Sequence, residues 1–157
     1  MKLFGRQPEE SPAEFWRQTA ENRGGPIGFK SFATLLGRSQ AEILELPGLL
    51  YTVGRVVWFE DFERDNWLLR IVRTRRTFEK TELSFALAEV RYARLVTRGG
   101  ALRSIAGPVP QDSLRPATFI DRIVSMPIMQ VAMQDGSSIF FDLIQKKEFL
   151  ALFEPAK

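Results

Sequence analysis

The chain has 157 residues, 45% of them hydrophobic and 26% charged, with a net charge of +3, the balance expected of one globular domain. It has no cysteine and no histidine. This excludes disulfides, thiol nucleophiles, Cys-ligated zinc or iron–sulfur clusters and every mechanism built on imidazole.

The pI of about 9.5 follows from a small excess of base with no histidine to buffer it, and is not a nucleic-acid signal. Residues 1–13 carry no apolar run behind their basic residues, so they do not read as a secretory signal. No run approaches the ~18 apolar residues of a membrane span. A cytoplasmic protein is expected, peripheral to a membrane at most.

In chain order, Ser11-Pro12-Ala13-Glu14 reads as a helix start with a capping box, and Gly24-Gly25-Pro26 as its stop. Phe29, Phe32, Leu35 and Leu36 suggest a second short helix ending at Gly37. Ser39-Gln40-Ala41-Glu42 suggests a third, closed by Pro47-Gly48. From Leu49 the texture changes. Residues 49–59 and 67–78 are rich in β-branched and aromatic residues and read as strands around an acidic loop. Leu83, Phe85 and Leu87 alternate with Glu82, Ser84 and Ala86, a half-buried strand. Residues 90–98 make a further strand, stopped by Gly99-Gly100. Residues 101–117, with three prolines, read as a long loop. Residues 119–126 and 128–134 are strand-like.

Asp135-Gly136 signals a two-residue hairpin turn joining residues 128–134 to 137–144. That turn pairs Val131 with Phe140. One face of the hairpin then carries Ala132, Ile139, Phe141 and Leu143, and the other Met129, Val131, Met133 and Phe140. Both faces are apolar, so something must cover the second. Asp142 and Gln145 suggest the start of a final helix with Phe149, Leu152 and Phe153 on its apolar stripe.

The segment 129–153, MQVAMQDGSSIFFDLIQKKEFLALF, resembles the end of a pleckstrin-homology-like (PH-like) domain, and 81–100, TELSFALAEVRYARLVTRGG, resembles the middle of bacterial PH- and GRAM-like domains. The resemblance covers about residues 48–154. It implies an α+β fold, mainly β: an antiparallel barrel of six or seven strands over 47–157, capped by a C-terminal helix and preceded by a helical extension over 1–46. It implies a scaffold for binding lipid headgroups, peptides or proteins, and it does not imply catalysis.

Two surfaces are candidate sites. Arg70, Arg73, Arg75, Arg76 and Lys80 form a basic cluster able to hold phosphate in arginine forks, and Arg73-Thr74-Arg75 matches half of the phosphoinositide pattern. The neighbouring Glu60, Asp61, Glu63 and Asp65 oppose such a ligand and pair the arginines instead. A second basic series, Arg91, Arg94, Arg98 and Arg103, has only Tyr92 for base stacking and reads as a solvated face, so no nucleic acid is expected. Arg91 and Arg94 lie on opposite faces of a regular strand; only a bulge brings them together. The other candidate surface joins Met129, Val131, Met133 and Phe140 of the hairpin to Phe15 and Trp16 of the first helix, within one chain or between copies. Asp61 and Asp65 alone do not make a metal site, and neither cofactor nor metal is expected. The expected function is a non-enzymatic binding or assembly module with a protein partner or a second copy, with an anionic membrane surface as the alternative. A carboxylate-dependent enzyme has no paired acids to support it.

Overall fold

The computed structural model describes residues 11–61, 82–124 and 126–154. Helix α1 spans Pro12–Arg23. The Ser11 hydroxyl accepts from the Glu14 N–H at 3.2 Å, Pro12 opens the first turn and Gly24, at φ 78°, ends the helix. Among the described residues seven strands follow: β1 (Ile27–Arg38), β2 (Leu46–Val53), β3 (Val56–Asp61), β4 (Glu82–Ala86), β5 (Val90–Val96), β6 (Ile128–Met133) and β7 (Ser138–Leu143). Helices α2 (Arg98–Ala106) and α3 (Phe119–Val124) lie between β5 and β6, and α4 (Lys146–Ala151) follows β7. The protein is mainly antiparallel β with a few helices, as the α+β expectation had it.

The strands form one sheet in the order β4-β3-β2-β1-β7-β6-β5. Two meanders, β1 to β4 and β5 to β7, are joined where β1 pairs with β7. β4 and β5 follow one another in the chain yet stand at opposite edges. The expected barrel is therefore a curled sheet that does not close among the described residues. Its curl is visible in the packing. Every strand and α4 contribute to one inner core, with Phe29, Leu50, Phe59, Phe85, Val90, Met129, Phe141 and Phe149 among its members. Phe59 and Phe141 meet at 5.7 Å between ring centroids although two strands separate β3 from β7. Phe149 brings α4 over this core, 5.5 Å from Phe29.

A second core lies on the outer face, at the β5-β6-β7 end. It gathers Leu36, Val96, Ala101, Ile105, Leu114, Ile128 and Phe140. Strand β1 serves both cores because successive side chains of a strand point to opposite faces, and its pairing with β7 then shifts register between Leu35 and Gly37. Leu35 points into the inner core and Leu36 into the outer one. Gly37 sits at φ 146°, and a Cβ there would lie 2.7 Å from the Glu42 carbonyl oxygen and 3.1 Å from Ile105. Only glycine lets α2 approach the strand this closely. The last carbonyls of α2 are satisfied by the same turn: the N–H groups of Gln40 and Ala41 donate to Ser104 and Ile105 at 3.0 and 2.9 Å.

Several expectations need correction. Residues 29–37 are not a helix but the middle strand of the sheet. Phe29, Ser31, Ala33 and Leu35 alternate inward, while Phe32 faces out. Residues 40–46 form no helix; Gln40 and Glu45 hold positive φ in a connection to β2. The helical part of 1–46 is thus α1 alone among the described residues. The long loop of 101–117 begins inside α2. Thr97 caps that helix, accepting from the Gly100 N–H at 3.2 Å, so Gly99 and Gly100 open a helix rather than ending a strand. Residues 119–124 are helix rather than strand. Asp142 belongs to β7, and Gln145, without a side-chain cap, precedes α4.

The hairpin correction matters most. Its loop has three residues, Gln134-Asp135-Gly136, with Gly136 at φ 93° and the Met133 N–H donating to the Ser137 carbonyl at 2.8 Å. Val131 therefore pairs with Ile139, and Met129 with Phe141. One residue of register exchanges the faces. Met129, Val131, Ile139 and Phe141 share the inner core, and Phe140 lies opposite, in the outer one. Both faces of the hairpin are indeed apolar and covered, but α2 covers the second face, not the N-terminal helix.

Candidate functional site: an open groove on the outer sheet face

The outer face of the sheet has three zones. At the β5-β6-β7 end, α2 and residues 107–117 seal the second core. The seal includes a polar strap. Arg94 donates to Gln130 Oε1 at 3.0 Å and to the carbonyls of Gln111 and Leu114 at 3.2 and 2.7 Å. Arg91 donates to Gln111 Oε1 and Asp112 Oδ2, both at 3.0 Å, and the Tyr92 hydroxyl donates to Asp112 Oδ1 at 2.8 Å. A bulge between Val90 and Tyr92 brings Arg91 and Arg94 to the same side, and there they tie the strap down rather than forming a solvated face. Hydrogen bonds from Tyr92 and Arg91 hold the Asp112 carboxyl below its ordinary range. Burial, with Asp112 beside it, pushes the Tyr92 phenol up.

At the β2-β3-β4 end, α1 lies over the outer face. Trp16 meets Tyr51 edge-on at 5.6 Å, and Lys30 stands 5.2 Å over the Trp16 ring. The other end of α1 is held by a polar clasp. Arg23, with 18% of its side chain exposed, donates to the Tyr51 hydroxyl at 3.1 Å and to Glu60, pairs with Glu82 Oε1 at 3.0 Å and stacks 3.7 Å over Trp58. The Tyr51 hydroxyl donates to Glu60 at 2.8 Å. Burial of Arg23 works against its charge, but its bonds to Glu82, Tyr51 and Glu60 hold its pKa above the ordinary arginine value. Burial likewise pushes the Tyr51 phenol up to about 12, with Arg23 opposing and Glu60 assisting.

Between these zones the face is open. A groove of about 480 Å³ runs between α1 and the β1–β7 pair, lined by Phe15, Trp16, Lys30, Phe32, Leu49 and Ile144. It continues beyond Phe32 into a second hollow of about 440 Å³ that reaches Pro47, Met126 and Asp142. Ile144 is 70% exposed and Phe32 60%. Next along the chain from Met126, α3 projects Phe119, Ile120 and Ile123 into solvent, at 77%, 69% and 70% exposure. Its first turn is fixed by a reciprocal cap: the Thr118 N–H donates to Asp121 Oδ2 at 2.8 Å, and the Asp121 N–H to Thr118 Oγ1 at 3.2 Å. These bonds from Thr118 hold the Asp121 carboxyl below its ordinary range.

Of the residues expected at an interaction surface, Phe15 and Trp16 line the groove. Met129, Val131 and Phe140 are buried inside the molecule, and Met133 is half-buried against the inner core, so none of these four forms an open face. Arg70, Arg73, Arg75, Arg76 and Lys80 lie outside the described residues, as do Glu63 and Asp65. Sequence reading missed Ile144 and the apolar side of α3. The Thr118–Asp121 spacing was the available sign of a helix there. Among the described residues no group of three or more acids is placed to hold a metal ion, and no helix is long and apolar enough to cross a membrane. Comparisons with protein-family models, with curated proteins and with solved structures found no match.

Proposed function

We propose that this chain is a non-enzymatic binding and assembly module on a PH-like scaffold, and that it self-associates through the outer-face groove. The PH-like reading is supported by seven antiparallel strands in two meanders curled about one core, ending in an Asp-Gly hairpin and a short helix. The binding reading rests on one observation. In the middle of a sheet covered at both ends, Ile144 and Phe32 stay largely exposed beside the aromatic side of α1. Removing side chains of this size from water contributes about 1.5–3 kcal/mol each, which a protein surface brought against the groove would gain.

The test is sedimentation velocity over a wide concentration range with the wild type, Ile144→Asp and Phe32→Asp. The wild type associates as concentration rises, and the variants associate at least about tenfold more weakly while keeping the circular dichroism of the folded sheet. A wild type that remains monomeric throughout overturns the reading. So does association that both variants leave intact. Retention on anionic vesicles that neither variant alters, by a protein that does not self-associate, assigns the module to lipid instead.

A further inference from the structure

We propose that the occupant of the groove is helix α3 of a second copy of this chain, exchanged reciprocally about a two-fold axis. The inference rests on the groove being an assembly surface and names what fills it.

Three observations carry it. The first is that one chain holds both halves of the contact. The groove is an apolar concavity, and α3 is a short amphipathic helix with three large apolar side chains in solvent. Apolar anchors on one helix face seated in an apolar groove are a recurring recognition mode. Within its own chain α3 does not fill the groove, since all three side chains remain about 70% or more exposed.

The second is area. Phe32, Ile144, Met126, Phe119, Ile120 and Ile123 are each more than half exposed. Six such side chains present on the order of 800 Å², about what each partner buries in an interface of standard size.

The third is placement and charge. Met126 lies two residues beyond α3 and lines the same hollow as Phe32 and Ile144. Donor and acceptor therefore adjoin, and a two-fold operation satisfies both in one closed dimer rather than starting an open chain. Arg122, on α3, is exposed and forms no ion pair among the described residues. At the groove, the one ion pair of Asp142 among the described residues is the loose Lys146 contact at 3.9 Å, which leaves a carboxylate for an incoming arginine.

The experiment uses the full chain as wild type, as the helix variant Ile123→Asp and as the groove variant Ile144→Asp. Sedimentation velocity is run on each alone and on an equimolar mixture. Each variant alone has lost both contacts and weakens dimerisation by about tenfold or more, a loss of ~1.4 kcal/mol. The mixture recovers association, because the intact helix of one variant meets the intact groove of the other. A fluorescent peptide of residues 116–124 gives a second reading that does not depend on the fold of the helix variant. It binds the wild type and Ile123→Asp, and not Ile144→Asp. A helix variant that still dimerises while the groove variant does not overturns α3 as occupant and leaves the groove as the interface. Two monomeric variants whose mixture stays monomeric, with no peptide binding, likewise overturn α3 as occupant. Monomers at every concentration for the wild type overturn both. Loss of anionic-vesicle binding in Ile123→Asp, from a protein that is monomeric, reassigns α3 to a membrane.

Discussion

Two helices lie on the same face of the sheet and are held there by opposite means. Helix α2 seals its end with apolar contact. Ala101 and Ile105 pack with Leu36, Val96, Ile128 and Phe140 into a core of its own. Helix α1 buries only Thr19, and its far end is fixed by the Arg23 clasp on Tyr51, Trp58, Glu60 and Glu82. The first arrangement fills its part of the face with packed side chains. The second leaves a groove along the near side of the helix, because a clasp fixes position without filling volume. Burial by packing makes a cover part of the fold, whereas burial by polar attachment makes a cover that can border a binding surface.

The largest effect belongs to the packed end. Phe140→Ala removes the central ring of the outer core and is expected to cost ~3–5 kcal/mol in urea denaturation, since the surrounding strands cannot collapse onto the space. A cost below about 1 kcal/mol would show that α2 is not integral to the fold, and the contrast with α1 would vanish. Next comes the clasp. Arg23→Ala removes the guanidinium that bonds Tyr51, Glu60 and Glu82 together, and a loss of about 1.5–3 kcal/mol is expected. The tryptophan fluorescence of Trp16 and Trp58 should shift while the far-ultraviolet circular dichroism of the sheet persists. Loss of both signals together would mean that α1 is as integral as α2.

The smallest effect is a pH dependence. Tyr51 has a folded pKa near 12 against an ordinary 10. The neutral phenol is favoured by folding, so its contribution is fully present below pH 10 and is lost as pH rises through 12. Stability of the wild type should fall across that window, and the fall should be shallower in Tyr51→Phe. Parallel curves for the two proteins would show that Tyr51 plays no part in holding α1.

Some of this was legible from residues alone. The Ser11-Pro12 start, the β-rich texture after Leu49, the location of the last hairpin, its doubly apolar nature and the final helix follow from local chemistry. Each misread element has its own physical cause. Ser31 occupies an inward position of β1, buried because its hydroxyl donates to the Phe32 carbonyl and accepts from the Gln145 N–H. That polar residue hid the alternation of Phe29, Ala33 and Leu35, and the outward Phe32 completed a false helical stripe. In α3 the apolar cluster resembled a strand because nothing local shows that it meets solvent. In the hairpin, Asp-Gly serves two- and three-residue loops alike, and only the backbone at Gly136 separates them. The groove was the least legible feature. Ile144 and Phe32 are exposed because of where α1 and α2 end on the sheet, and that is set by contacts far apart in sequence.

The Leu35–Leu36 pair of β1 has a consequence for how the molecule comes apart. Adjacent residues of one strand are the keystones of two separate cores, so neither core can loosen without dragging a side chain out of the other. The shared strand couples the two cores, so opening the packed end is expected to disturb the inner core as well. The open middle of the sheet is thus floored by a strand anchored on both of its faces.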